Sequence, residues 1–259
     1  MSVGSSSIKA DRVIYGVGPV REVVARRPQS IIAIWVDPKR ADKRAGDPVA
    51  QIVTAARAAH IRVEDRPRQE LEHALGDPGR HQGVVAFLGP FRYAELDTLV
   101  GDSTEPPLLI ALDGVEDPRN FGAVLRSAYL LGAGGVVIAE HRAAQVTGVV
   151  AKASAGASEL LPIARVGNLV RALDELRELN LWRVAVHATP TAQPITSIDG
   201  KLPLVLVLGA EGSGVRPLVA THCDFHAVIP MHHAAIGSFN VSVAAALALY
   251  EIRRQRDLG

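Results

Sequence analysis

The chain has 259 residues, of which 48% are hydrophobic and 21% charged, so it can bury one large core or two smaller ones and is not a disordered tail. Its formal net charge of +1 indicates by itself neither a nucleic-acid partner nor a membrane surface. The lone cysteine, Cys223, excludes an internal disulfide, and no signal pattern or bilayer-length apolar run occurs, so we expect a cytoplasmic protein without a membrane partner.

The amino-terminal part alternates short apolar runs with helical patterns. Strands are predicted at 31–36, 60–63 and 83–88, and helices near 17–27, 48–59 and 68–75. This alternation predicts a small α/β domain at 12–89, after a flexible segment at 1–11. A Gly- and Pro-containing linker is predicted at 90–107.

The rest of the chain, 108–259, repeats the pattern with longer and more apolar strands. These are predicted at 108–112, 135–139, 182–187, 203–208 and 225–229. Continuous apolar runs of this kind are typical of a parallel sheet that is covered by helices on both faces. The last element, Val241 to Arg256, has helical spacing and ends in cationic residues that suit a helix carboxyl end.

A first polar segment follows the strand at 108–112. It contains Asp113, Asp117 and Asn120, with Arg126 about two turns further along a helix. Polar groups at the carboxyl end of a parallel strand lie where open α/β sheets bind ligands. We predict a helix that begins near Asn120 with Asn120 as its cap, and both a ligand site and an ordinary capped helix fit the segment.

A second segment places three glycines, Gly209, Gly212 and Gly214, around Glu211 directly after a fully apolar strand. Glycine lets the backbone approach a ligand closely. The segment lacks both the Gly-Lys-Ser/Thr of a phosphate loop and the G-x-G-x-x-G of a dinucleotide site. It therefore favours a ligand loop of another kind, in which Glu211 holds a backbone or ribose group.

A third segment runs from Ile229 through a glycine-containing loop into the last helix. We predict that Ser238 or Asn240 caps this helix, whose Ala-rich start permits close packing. A buried intersubunit surface and a plain helix cap both fit this pattern.

Together the three segments resemble the three motifs of the SpoU (TrmH) family of RNA ribose 2'-O-methyltransferases. The matching residues are Asp113-Gly114, Asp117-Pro118, Asn120, Gly122 and Arg126-Ser127-Ala128; Gly209-Ala210-Glu211-Gly212 and Gly214; and Ile229-Pro230-Met231, Ser238 and Asn240-Val241-Ser242-Val243-Ala244. Near the amino terminus, Ile14-Tyr15-Gly16 and His81-Gln82-Gly83-Val84-Val85-Ala86 resemble the RNA-binding domain of members that methylate a guanosine of 23S rRNA.

The resemblance implies a fold beyond what the pattern alone predicts. A small ribosomal-protein-L30e-like α/β domain would precede a catalytic domain with a parallel sheet and a deep trefoil knot, although threaded chains are rare. The resemblance also implies a homodimer formed through the knotted domain. It implies S-adenosylmethionine as methyl donor and structured RNA, most directly 23S rRNA, as partner.

The resemblance also implies the site residues, by motif position. The catalytic set is Asn120, Arg126, Glu211, Ser238 and Asn240. The cofactor set is Leu208, Gly209, Glu211, Gly212, Ile229, Met231, Ser238 and Phe239. Because a guanidinium keeps its proton below a pH of about 12, we expect Arg126 to hold the adjacent phosphate and stabilise the developing alkoxide rather than act as a base.

Other interpretations stay open. A tRNA, or the rRNA site that protects against thiopeptide antibiotics, could be the acceptor, and a non-catalytic RNA-binding protein is a further alternative. His222, Cys223, His226, His232 and His233 lie close in sequence but match no zinc spacing, so no metal is expected. The loop at 232–237 departs from the usual family pattern and could alter cofactor or acceptor binding.

Overall fold

The computed structural model describes residues 8, 10–41, 46–75, 81–101, 105–233 and 237–257. The predicted flexible segment 1–11 therefore lies mostly outside the described residues, as does part of the linker predicted at 90–107. The chain divides into two compact units. The first comprises Met1–Arg92 with Val146–Leu160, and the second comprises Tyr93–Gln145 with Leu161–Gly259.

Strands and helices alternate along both units. The strands are Arg12–Tyr15 (β1), Ile31–Val36 (β2), Val63–Asp65 (β3), Val84–Leu88 (β4), Leu108–Asp113 (β5), Gly135–Ala139 (β6), Ile163–Val166 (β7), Trp182–Val186 (β8), Gln193–Pro194 (β9), Leu204–Gly209 (β10) and Phe225–Val228 (β11). The α-helices are Val17–Arg26 (α1), Pro38–Ala41 (α2), Pro48–Ala58 (α3), Arg68–Leu75 (α4), Pro118–Leu130 (α5), Gly148–Ala153 (α6), Leu169–Glu178 (α7), Pro217–Thr221 (α8) and Val241–Asp257 (α9). None of the described helices is both long enough and apolar enough to cross a bilayer.

In the first unit, the described strands form a mixed sheet in the order β1-β4-β2-β3. Val20 and Val23 of α1 and Ile52 of α3 are buried in the same core as Ile34 of β2. The segment predicted as a strand at 60–63 pairs only from Val63. His60 ends α3 with a left-handed φ of 57°, so the chain turns before it extends.

The segment Val146–Leu160 differs from the predicted domain division, which places it in the catalytic part at 108–259. In the structure it belongs to the first unit. Ala151 of α6 is buried in the first unit's core, and Glu159 forms an ion pair with Arg12 at 3.1 Å, where both side chains are almost completely buried. A buried ion pair requires close partners, so this segment stays with β1.

The second unit contains a parallel sheet, as its apolar strands predict. The described strands lie in the order β7-β6-β5-β10-β8-β11-β9, and every described pair in the sheet is parallel. Alternate residues face opposite sides, so Leu109 of β5 and Val205 of β10 pack with Leu173 of α7. Helices α5 and α9 pack against each other, and α9 also contacts β10.

Candidate active site

The first two polar segments begin side by side because β5 and β10 are adjacent parallel strands. Gly209 is paired with Asp113 in the register of these strands, and β8 flanks β10 on the other side. The carboxyl ends of parallel strands meet at one edge of a sheet. This edge therefore collects the loops that follow β5, β8 and β10.

The loop after β10 requires glycine at its first position. A Cβ on Gly209 would overlap the backbone of Gly214, because the loop closes on itself through a hydrogen bond from the Gly214 amide to the Ala210 carbonyl at 2.9 Å. Gly212 and Gly214 have φ values of 82° and 65°, which side-chain-bearing residues rarely adopt. The loop is thus shaped by its backbone, and Glu211 is presented at its turn.

Glu211 joins the three polar segments through hydrogen bonds. The Asn120 amide donates to Glu211 Oε1 at 3.0 Å, and the Asn240 amide donates to the same oxygen. The Asn240 amide also donates to Asn120 Oδ1 at 3.1 Å. Three residues that are far apart in sequence are therefore brought together, as the motif resemblance predicts.

The helix caps correct one sequence prediction and decide another. Helix α5 begins at Pro118, and Asp117 is its cap, with Asp117 Oδ1 accepting from the Arg119 amide at 2.7 Å. The prediction that Asn120 caps this helix is wrong: Asp117 takes the cap, so the Asn120 side chain is left to contact Glu211. At α9, Asn240 is the cap, since its Oδ1 accepts from the Ser242 amide at 2.9 Å.

A cavity of about 750 Å³ opens beside this cluster, and we call it the glycine cavity. Its wall includes all eight residues predicted to hold a cofactor: Leu208, Gly209, Glu211, Gly212, Ile229, Met231, Ser238 and Phe239. Its size is that of a site for a small organic molecule, and its apolar wall with backbone polar groups suits a ligand that has both apolar and hydrogen-bonding parts.

The loop after β8 also lines the glycine cavity, which the sequence patterns missed. His187, Ala188 and Thr189 contribute to the wall. His187 Nε2 lies 2.8 Å from His226 Nδ1, and burial, followed by the nearness of His226, lowers the pKa of His187. The available signal was position alone, since this loop follows a strand that neighbours β10.

Asp113 is a second residue whose partner the patterns did not predict. Its side chain is completely buried at the end of β5, and it accepts from the Arg216 backbone amide at 2.8 Å and from Arg216 Nε at 2.7 Å. The Arg216 side chain remains about half exposed, at 53%. This pair ties the end of β5 to the loop after β10.

Arg126 is the predicted site residue that lies outside both the Glu211 cluster and the glycine cavity. It is exposed on α5, it does not line the glycine cavity, and no ion pair or hydrogen bond to it is found in the described part of the chain. The unusual loop 232–237 lies partly outside the described residues.

The histidines near Cys223 have separate partners. His222 Nδ1 lies 2.9 Å from Asp174 Oδ1, whereas His226 pairs with His187. Burial raises the pKa of the Cys223 thiol to about 12, so this thiol is protonated at neutral pH. Among the described residues no group of three or more His, Cys, Asp or Glu side chains is placed to hold a metal ion.

Comparison with known proteins gives the same assignment for both parts of the chain. Residues 107–250 match the SpoU rRNA Methylase family, and residues 13–94 match a family described as RNA 2'-O ribose methyltransferase substrate binding.

Similar proteins extend over most of the chain. YacO of Bacillus subtilis, described as a TrmH family tRNA/rRNA methyltransferase, is 41% identical over 80% of this chain and 83% of its own length. The 23S rRNA (guanosine-2'-O-)-methyltransferase RlmB of Pseudomonas aeruginosa is 39% identical over 94% of this chain and 96% of its own length. The SpoU methyltransferase AviRb of Streptomyces viridochromogenes, solved with AdoMet, shares the fold with a TM-score of 0.75, at 24% identity over 95% of this chain and 91% of that chain. The chain belongs to the SpoU rRNA methylase family.

Proposed function

We propose that this protein transfers a methyl group from S-adenosylmethionine to the ribose 2'-hydroxyl of a guanosine in 23S rRNA. The observation that carries the proposal is the glycine cavity, in which all eight predicted cofactor residues share one wall beside the cluster of Glu211, Asn120 and Asn240. The printed activity of the Pseudomonas relative, at 39% identity over nearly the whole chain, supports the acceptor.

The volume of the glycine cavity and the mixture of apolar and polar groups on its wall suit the donor. No side chain could replace Gly209 without overlapping the backbone of Gly214, so glycine at this position lets the loop fold tightly along the cavity wall. Thr189 lies on the wall, and its Oγ1 is buried and has no hydrogen-bond partner in the described part of the chain. A buried hydroxyl without a partner is costly, and a polar group of the ligand would satisfy it.

When bound, S-adenosylmethionine supplies a methyl group on a cationic sulfur. The ribose oxygen would take up this methyl group as the carbon–sulfur bond breaks with its electron pair kept by sulfur, and the hydroxyl proton would pass to water. The protein must hold the two partners in line at about 3–3.5 Å. We assign this positioning to Glu211, Asn120, Ser238 and Asn240, which combine donors and acceptors at the cavity rim.

Arg126 is proposed to hold the phosphate next to the acceptor ribose and to stabilise the developing negative charge on its oxygen. Its exposed position leaves the guanidinium available to RNA. Arg126→Ala should abolish turnover and leave the affinity for S-adenosylhomocysteine nearly unchanged. A parallel loss of that affinity, measured by calorimetry, would contradict the role.

We propose a homodimer formed through the second unit. Leu130 of α5 and Val243, Leu247 and Tyr250 of α9 are large apolar side chains that are 69%, 44%, 38% and 59% exposed. The last three recur at helical spacing on one face of α9, and α9 packs on α5. Arg126 precedes Leu130 by one helical turn on the same face, so a partner docked here would lie beside Arg126.

One double variant and one control variant test this dimer. Leu247→Glu with Tyr250→Glu should convert the dimer to a monomer in light scattering after size-exclusion chromatography. Leu218→Glu, on another exposed apolar side chain, is the matched control and should leave the dimer intact. A monomeric wild-type chain would contradict the proposal.

Membership of the family also suggests a knotted chain, the fold of the amino-terminal domain and the cellular location. We propose that the segment after β11 threads the chain into a trefoil knot, which is supported by the packing of α9 against both β10 and α5. We further propose that the domain at 12–89, which a linker at 90–107 joins to the rest of the chain, is L30e-like and binds RNA, as its match to the substrate-binding family suggests. A 23S rRNA acceptor implies a cytoplasmic protein.

A tRNA acceptor is the second candidate, because the description of the Bacillus relative names both tRNA and rRNA. Labelled S-adenosylmethionine, the full chain, and deproteinised rRNA or tRNA distinguish the two, with the modified nucleotide mapped by mass spectrometry. The proposal predicts a 2'-O-methylguanosine in 23S rRNA. Label in tRNA alone would overturn the acceptor, and no label in either RNA would favour a non-catalytic RNA-binding protein.

A further inference from the structure

A second cavity, of about 390 Å³, adjoins the glycine cavity, and we call it the polar cavity. It lies between the loops that follow β5, β6 and β10. Four residues line both cavities, namely Ala210, Glu211, Ser213 and Val241. The two spaces therefore share a wall that carries the central carboxylate of the site.

This shared wall limits where an acceptor can sit. Direct methyl transfer needs the attacking oxygen within about 3–3.5 Å of the methyl carbon, in line with the bond that breaks. An acceptor for a donor in the glycine cavity must therefore enter an adjacent space. The polar cavity borders Glu211 and Asn120, which are the residues at that junction.

Three polar side chains that line the polar cavity stay available to a ligand, namely Glu116, His141 and Arg142. Its buried carboxylate, Asp113, is already paired with Arg216. In the described part of the chain, Glu116, His141 and Arg142 are exposed and take part in no ion pair or hydrogen bond. One carboxylate and one guanidinium are thus available to a ligand at the mouth of the cavity.

The loop that carries His141 and Arg142 is held in place before any ligand arrives. The Gln145 amide donates to the carbonyls of Ala139 at 3.2 Å and Ala143 at 3.1 Å, and Tyr93 donates to Gln145 Oε1 at 3.1 Å. The Ala144 amide donates to the Val115 carbonyl at 2.8 Å, which ties this loop to the one that holds Glu116.

Arg142 itself has a left-handed φ of 53°, a conformation that is uncommon for such a residue. Backbone strain of this kind persists only where the surroundings fix it, and it often marks a ligand contact.

We propose that the polar cavity binds the base of the acceptor nucleotide and selects guanine, with Glu116 accepting from the N1–H and the N2 amino group and Arg142 donating to O6. This inference rests on the proposed transfer to an RNA ribose. The Watson–Crick edge of guanine presents one acceptor beside two donors, which matches a guanidinium beside a carboxylate. Adenine presents no such pair of donors, and RNA bases are read in this way when they are turned out of a helix.

The test compares the full chain with Glu116→Gln and Arg142→Ala, on an RNA fragment whose target is guanosine or inosine. Inosine lacks the N2 amino group and keeps N1–H and O6. Glu116→Gln should lower kcat/KM about 10- to 100-fold on guanosine and clearly less on inosine, because one of its contacts is already absent there. Arg142→Ala should lower kcat/KM by a similar factor on both substrates.

Matched control variants distinguish recognition of the base from an effect of the overall charge near the polar cavity. Arg119→Ala and Glu140→Gln remove the same charges from exposed neighbouring positions that do not line the polar cavity, and they should keep wild-type kcat/KM. Calorimetry with S-adenosylhomocysteine should give one affinity for all variants, since the glycine cavity is unchanged.

Three outcomes would overturn the inference. Variants that behave like the controls on an active wild-type background would overturn the base contact and leave the methyl transfer standing. An equal loss of kcat/KM for Glu116→Gln on guanosine and on inosine would contradict the contact between Glu116 and the N2 amino group. A wild-type chain that methylates no RNA would overturn both this inference and the proposed function.

Discussion

The two adjoining cavities are built by different means. The glycine cavity takes its shape from backbone and apolar groups, with Gly209 packed so closely that a Cβ would overlap Gly214. The polar cavity is bordered by charged side chains, of which Glu116 and Arg142 are exposed. A ligand common to a whole family can be recognised by fixed backbone, whereas the choice among acceptors is carried by side chains that substitution can change without disturbing the fold.

The largest expected effect comes from displacing the loop that forms the wall of the glycine cavity. Gly209→Ala forces the Gly214 backbone to move, so the affinity for S-adenosylhomocysteine should fall about 100-fold or more, as measured by calorimetry. Gly167→Ala is the control, because a Cβ there meets nothing within 4 Å. If the Gly209 variant kept wild-type affinity, the claim that backbone shapes this cavity would fail.

A second substitution tests the wall of the polar cavity. Arg216→Ala leaves the buried Asp113 carboxylate with only the backbone amide of residue 216. The free energy of unfolding should fall by about 2 kcal/mol in urea denaturation, which is less than for a fully buried pair because Arg216 is half exposed. Arg119→Ala should leave the free energy of unfolding almost unchanged. Equal stability of the two variants would show that the pair of Arg216 with Asp113 does not stabilise the fold.

Asn240 donates to Glu211 and Asn120 and also caps α9, and one variant separates these roles. Asn240→Ser keeps a side-chain oxygen for the cap but is too short to reach Glu211. Its melting temperature should therefore stay near the wild-type value, while kcat falls about tenfold, as expected when one positioning hydrogen bond is lost. Unchanged kcat with a lowered melting temperature would assign Asn240 to the cap alone.

The smallest expected effect is the pH dependence of stability and of ligand affinity that His187 causes at the wall of the glycine cavity. Because burial and His226 lower the pKa of His187, the unfolded chain takes up this proton first, so stability falls as pH drops through the unfolded value of about 6.5. A positive ring on the cavity wall also repels a cationic ligand. As the pH falls through the lowered pKa of His187, the affinity for S-adenosylmethionine should therefore fall about fivefold more than that for S-adenosylhomocysteine, whose net charge is zero.

His187→Asn is the control for this pH effect and should remove the difference between the two ligands. His81 of the first unit also has a pKa that burial lowers, so it contributes to the pH dependence of stability without acting on either ligand. A difference that persists in His187→Asn would place its source on another group.

The backbone-shaped part of the site could be predicted from sequence. Three glycines around Glu211 after an apolar strand have few structural uses, and motif order added Ile229, Ser238 and Asn240, which line the same cavity or join the same cluster. Five of the seven described strands of the parallel sheet, β5, β6, β8, β10 and β11, were predictable because each is a long apolar run between helical patterns.

The side-chain-shaped part could not be predicted. Glu116 lies in the loop of the first motif but is not one of its matching residues, and His141 and Arg142 lie in a loop with no motif. Only the pairing of β5 with β6 brings these two loops together. The packing of Val146–Leu160 with the first unit was missed as well, because its cause is a buried pair between Arg12 and Glu159, far apart in the chain. Short strands such as β1 and β7 carry too few apolar residues to be predicted with the rest.

The most direct test of two adjoining but separate cavities is amide hydrogen exchange of the full chain with and without S-adenosylhomocysteine. We expect slower exchange at 208–214 and 229–231, on the wall of the glycine cavity, and unchanged exchange at 139–145, in the loop of the polar cavity. Protection confined to 139–145, or no protection at all, would contradict the placement of the donor.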